Sequence, residues 1–242
     1  MAQQGKREER NIYSEILNEE IQLHVYLPPS YTPLLRYSVL IAQDGKDYFN
    51  LGKIARSSET LFEDGAVEEY IIVGVPYKDV QDRRRKYHPS GEEHEKYVRF
   101  LVYELLPFIE DEYSTLELAS ARGLIGSSLG ATVSLVTALE YPRTFGKIAL
   151  QSPYVNDKVL DLVTNVKDPS LLSVYHVAGK GETEVETTNG KQKDFITPNR
   201  ELNKRFASKS FGEYYYEEFD GDHKWTYWQP DIPKALKFLY PI

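Results

Sequence analysis

The chain of 242 residues predicts an α/β fold: a mostly parallel central sheet that opens on an antiparallel hairpin, with helices on both faces. Three observations carry this. Ile21, Leu23, Val25 and Leu27 alternate with Gln22, His24 and Tyr26, a period of two that marks a half-exposed antiparallel strand. Residues 37–43 and 70–76 are nearly continuous apolar runs, as expected of strands covered on both faces in a parallel sheet. Beyond them, strand-like runs and helical-period segments alternate to the end of the chain, the signature of a wound sheet.

In order, residues 1–10 are polar and charged and read as a disordered lead; with no apolar stretch they are not a signal peptide. Residues 11–17 and 21–27 form the hairpin around a turn at Asn18-Glu19, and Pro28-Pro29 ends it. The strand at 37–43 stops at Asp44-Gly45, and a helix is expected over 51–63. After the strand at 70–76, residues 78–90 read as a charged loop containing Arg83-Arg84-Arg85. Residues 92–113 carry Val98, Leu101, Val102, Leu105 and Ile109 on one helical stripe, which Pro107 should bend or interrupt. Strands are then expected at 121–125, 146–151, 171–178 and 213–219, and helices at 132–141, 157–166, 199–211 and 229–239. A long polar loop fills 179–197. No repeat or linker interrupts this, so 11–242 is expected to be one domain.

Composition narrows the function. Without cysteine there is no thiol nucleophile, zinc–thiolate site or disulfide scaffold. No segment has the apolar length of a membrane span, and a net charge of −8 argues against nucleic acid as a partner. A cytoplasmic enzyme without a metal or other cofactor is the simplest expectation.

The chemistry-bearing stretch is Gly126-Ser127-Ser128-Leu129-Gly130, a G-x-S-x-G sequence between a strand and a helix. In that context the serine occupies a strained strand-to-helix turn, its hydroxyl standing clear of the sheet beside the free N–H groups of a helix N-terminus. The pentapeptide alone is a weak signal, arising by chance in roughly one chain in twelve of this length. An acid and a histidine placed after it in the right order strengthen it. Reactive groups in such a sheet gather where strands end. Of five histidines, His24 and His176 lie within strands, His88 and His94 fall among charged residues and are expected to be solvated, and His223 comes just after the last strand. His223 is where the base of a Ser–acid–His order belongs. The acid should come after the strand at 171–178; Glu182 is nearest, with Glu184, Glu186 and Asp194 further along.

Several motifs resemble, in order, the esterase family of the α/β-hydrolase fold that includes enterochelin-type trilactone esterases and S-formylglutathione hydrolases. They are Val25-Tyr26-Leu27-Pro28-Pro29-Ser30-Tyr31, Val39-Leu40-Ile41-Ala42-Gln43-Asp44-Gly45, Glu104-Leu105-Leu106-Pro107-Phe108-Ile109-Glu110, the elbow through Tyr141-Pro142 to Ser152-Pro153, and Gly221-x-His223-x-Trp225-x-x-Trp228. The resemblance implies serine-dependent ester hydrolysis through an acyl-enzyme, with Ser128 as nucleophile, His223 as base and Glu182 as acid. It also implies an oxyanion hole from the backbone N–H of Leu129 and one at Gly45 or Lys46. Two departures stand out: Ala131 where many members have glycine, and glutamate where aspartate is commoner.

Arg84 and Arg85 are candidates for holding an anionic ester, set against a loop whose charge is balanced by Glu92, Glu93 and Glu95. Trp225 is a candidate wall of the acyl pocket. The expected substrate is a small-molecule ester. Acyl transfer by the same triad, or a binding protein on a retired hydrolase scaffold, are the rival readings.

Overall fold

The computed structural model describes residues 4–187 and 190–242. Among the described residues, eight strands form one sheet in the order β1-β2-β4-β3-β5-β6-β7-β10. β1 (Lys6–Ser14) and β2 (Glu19–Leu27) are antiparallel, and β2 also runs antiparallel to β4 (Tyr70–Val75). β3 (Ser38–Gln43), β5 (Arg122–Ser127), β6 (Lys147–Gln151), β7 (Ser173–Gly179) and β10 (Glu213–Phe219) continue it in parallel. Two short strands, β8 (Val185–Glu186) and β9 (Gln192–Lys193), form a separate hairpin after β7. This is the α/β-hydrolase arrangement expected from the sequence.

β3 and β4 are buried throughout, as their continuous apolar runs predict. One face of the sheet is covered by α3 (Val80–Tyr87), α4 (His94–Phe100), α5 (Leu106–Glu112), α6 (Leu129–Glu140), α7 (Asp157–Thr164) and α8 (Ile196–Ala207). The other is covered by α1 (Gly45–Asn50), α2 (Ile54–Glu63) and α9 (Trp225–Leu239).

Several local expectations are corrected. Residues 6–10, expected in a disordered lead, pair with Leu23 to Leu27. Their charged side chains hid the strand, and charge is what an outer strand tolerates, since its free edge faces water. The helix expected at 51–63 is α2 and begins only at Ile54, after Lys53 takes a left-handed conformation (φ 53°); the short α1 over Gly45–Asn50 before it was not expected. The charged loop expected at 78–90 holds α3. Asp79 caps it, accepting from the N–H groups of Gln81 and Asp82 at 2.8 Å each, and Arg84, Arg85 and Lys86 complement the dipole of its last turn. At Pro107, which has no N–H to donate, the helix widens into a π turn over Leu101–Leu105 before α5 resumes.

Candidate active site

Five strand ends meet at one edge of the sheet: β3 leads to Asp44, β5 to Ser128, β6 to Ser152, β7 to Glu182 and β10 to His223. Between them lies a cavity of about 240 Å3 lined by Ser128, Leu129, His223, Trp225 and Trp228, among others. A larger hollow, about 870 Å3, lies between α6 and α7 and contains none of the candidate residues.

Ser128 sits at φ 53°, ψ −123°, the strained elbow conformation. Its two glycines are required by contact. A Cβ on Gly126 would fall 2.3 Å from the carbonyl carbon of Gly130, and one on Gly130 would fall 2.8 Å from Asp44 Oδ2. Leu129 is the first residue of α6, so its N–H belongs to the free first turn beside the cavity.

Glu182 is fully buried. Its Oε1 accepts from Ser152 Oγ at 2.5 Å and from the Gly179 N–H at 3.1 Å, while Oε2 lies 3.1 Å from His223 Nδ1. Ser152 Oγ in turn accepts from Trp228 Nε1 at 3.0 Å. The His223 ring is held between Phe195 (centroids 4.3 Å apart) and Trp228 (4.8 Å, edge-on). Its Nδ1 is thus engaged by a buried carboxylate while the ring borders the cavity that Ser128 faces. Among the described residues no hydrogen bond joins Ser128 Oγ to that ring; such bonds are often long until substrate binds.

The other acid candidates lie elsewhere. Glu184, Glu186 and Asp194 are exposed, and Asp194 Oδ1 accepts from the Thr197 N–H at the start of α8. Gly45 and Lys46 do not line the cavity with their side-chain positions. Gly45 is packed against Gly74, and Lys46 is exposed beside a separate hollow near β1 and β2. Their N–H groups belong to the first turn of α1, behind Asp44, which does line the cavity.

The three arginines separate. Arg83 forms a two-pronged pair with Asp44 (2.7 Å and 2.7 Å) and donates to the carbonyl of Ser127 at 3.2 Å, tying α3 to the elbow. Arg84 lines the cavity. Arg85 does not: it pairs with Asp82 and Glu93 on the outer surface, which removes it as a substrate ligand. Trp225 lines the cavity and packs edge-on against Tyr48 and Trp228 (centroids 5.0 and 5.6 Å).

Two histidines expected to be solvated are not. His94 is 3 % exposed. His88 is half-buried on the cavity wall beside Tyr154, and burial, with the nearby charges of Arg84 and Lys193, pushes its pKa down to about 4. Asp47 also lines the cavity, and burial raises its pKa, although its bond from Tyr77 Oη at 3.0 Å opposes the shift. No group of three or more His, Asp or Glu side chains among the described residues is arranged to hold a metal ion. No helix among them is long and apolar enough to cross a membrane.

The sequence matches the family described as "Putative esterase" over residues 14–239. The chain belongs to this esterase family. Its reaction class is therefore ester hydrolysis. A relative from Bacillus subtilis (strain 168), described as uncharacterized protein YjcH, is 53% identical over 233 residues, covering 96% of this chain and 97% of the relative. Among solved structures, the esterase chain superposes on a ferulic acid esterase with a TM-score of 0.79 at 18% identity, covering 98% of each chain. It also superposes on the enterobactin esterase FES of Shigella flexneri, determined in the presence of enterobactin, with a TM-score of 0.82 at 16% identity. That match covers 97% of this chain and 58% of the other. At such identities these superpositions speak for the fold.

Proposed function

We propose that this esterase is a serine-dependent carboxylic-ester hydrolase working through an acyl-enzyme. The observation that carries the reading is the buried Glu182 carboxylate 3.1 Å from His223 Nδ1, with the same imidazole and Ser128 bordering one cavity. Glu182 would hold the ring in the tautomer that bears the proton on Nδ1 and leaves Nε2 free to accept one. His223 Nε2 takes the Ser128 proton as Oγ attacks the ester carbonyl, forming the tetrahedral intermediate. The ring then returns that proton to the departing alcohol as the acyl-enzyme forms. Water, activated by the same imidazole, releases the acid.

The oxyanion is met by the N–H of Leu129 at the start of α6, with a second N–H from the first turn of α1, at Gly45 or Lys46. Trp225 supplies an aromatic wall to the pocket. The substrate is a small-molecule ester, as the names of the structural neighbours suggest, and an anionic group on it would meet Arg84.

The test is Ser128→Ala assayed on a 4-nitrophenyl ester, paired with labelling by a fluorophosphonate. The expected outcome is a fall in kcat/KM of at least about a thousand-fold and loss of labelling. A variant that keeps most of its turnover defeats the proposal.

A further inference from the structure

The cavity that His223 borders also gathers three nitrogen donors that no carboxylate engages. Arg84 and Lys193 both line it, and neither has a carboxylate partner among the described residues. Lys193 Nζ instead donates to Tyr154 Oη at 3.0 Å and sits 4.6 Å from the centre of that ring. Arg83, by contrast, is fully committed to Asp44.

The third donor is His88, whose ring packs beside Tyr154 (centroids 5.1 Å apart). Its Nδ1 accepts from the Ser90 N–H at 3.1 Å. A neutral imidazole that accepts at Nδ1 carries its proton on Nε2, and that Nε2–H has no partner among the described residues. Arg84, His88 and Lys193 all line the one cavity, and the Lys193 ammonium and the His88 ring both pack against Tyr154, 4.6 and 5.1 Å from its ring centre.

The acidic residues on this cavity are disposed differently. Asp44 is neutralised by Arg83, Asp47 takes the Tyr77 hydroxyl on the α1 side, and Glu186 is exposed on the β8–β9 hairpin, where solvent screens it. An aromatic surface with a guanidinium, an ammonium and a neutral N–H around it, all open to the nucleophile's cavity, matches an oxyanion such as a carboxylate or phosphate.

We propose that Arg84, His88 and Lys193 form an anion subsite, and that the esterase acts on small esters carrying a free carboxylate or phosphate away from the scissile carbonyl. This rests on the serine-hydrolase reading for the reaction, but the subsite itself binds whether or not turnover occurs.

Both halves are therefore measured. In the first, kcat/KM is compared for the 4-nitrophenyl monoester of glutaric acid and the uncharged 4-nitrophenyl hexanoate. The ratio of the two is tracked in the wild type, in Arg84→Gln, in Lys193→Gln and in the double variant. Because each protein supplies its own neutral reference, general damage cancels. The wild type is expected to prefer the charged ester, each substitution to cut the preference roughly ten-fold, and high salt to weaken it. In the second, benzoate, phenylphosphate and uncharged benzamide are titrated into Ser128→Ala by calorimetry. Tighter binding of benzoate or of phenylphosphate than of benzamide, lost in the variant that adds Arg84→Gln and Lys193→Gln, supports the subsite and says which oxyanion it favours.

A wild type without preference, or a preference that survives the double substitution, overturns the proposal. So does equal binding of all three probes. Turnover of neither ester, with selective binding of the anions intact, instead removes the hydrolase reading and leaves the subsite standing.

Discussion

Ser152→Ala is the substitution that tests how the acid is held. In the folded protein Ser152 Oγ donates to Glu182 Oε1 and accepts from Trp228 Nε1, so one hydroxyl joins a buried carboxylate to a buried indole. Its deletion leaves Oε1 with the Gly179 N–H alone and leaves the indole N–H without its acceptor. A hydrogen bond to a charged group contributes about 1.5–3 kcal/mol, and an orphaned buried donor costs about 1–3 kcal/mol. With partial relaxation, urea unfolding is expected to register a loss of roughly 2–4 kcal/mol. Freed on one side, the Glu182 carboxylate no longer fixes the His223 ring, and kcat on a 4-nitrophenyl ester should fall about ten- to a hundred-fold with little change in KM. Trp228→Phe removes only the outer donor and keeps the ring against His223, so its kcat should fall less than Ser152→Ala. A Ser152→Ala protein within two-fold of wild-type kcat, alongside a Glu182→Gln protein that is nearly inactive, would refute the positioning argument.

Three other substitutions have defined outcomes. Arg83→Ala strands the buried Asp44 carboxylate and should cost about 3–5 kcal/mol in urea unfolding, with Arg83→Lys costing less because it keeps the charge. Gly126→Ala drives a methyl into the Gly130 backbone, so the elbow must shift; a loss of at least about 1–3 kcal/mol and of fluorophosphonate labelling is expected, and an intact elbow would show as normal labelling. His176 is fully buried, and burial holds its pKa down to about 4 against an ordinary 6.5, although its bond with Asn199 works the other way. The unfolded chain therefore binds the extra proton between those values, so this contribution is complete above about pH 6.5 and is lost as pH falls toward about 4. For a fully buried group this is on the order of 3 kcal/mol. His88 titrates in the same direction. Replacing His176 with Gln should flatten the acid side of the stability curve, and an unchanged slope between pH 7 and pH 4 would contradict the assignment.

The features legible in the chain alone were local or ordered. The elbow was legible because the need for glycine on either side of Ser128 is a steric demand written within five residues. The placement of His223 at the sheet edge was legible because chain order puts it after the last strand, and that of Glu182 because it lies three residues beyond the end of β7. The outer strand β1 and helix α3 were missed for opposite reasons. In β1, charge masked a backbone ladder; in α3, the Asp79 cap and the basic last turn were visible signals that the density of charge obscured.

By itself the sequence determined the alternation of strands and helices, the strained turn at Ser128 and the chain order of Ser128, Glu182 and His223, since each is set by spacing or by sterics between near neighbours. Only the tertiary structure decided that Arg83 is spent on Asp44, 39 positions away, that Ser152 holds Glu182 across 30, and that His88 faces the cavity. Those outcomes depend on which strand ends are brought side by side. A side chain's role in such a sheet is set by its neighbours in space, and no local pattern encodes them.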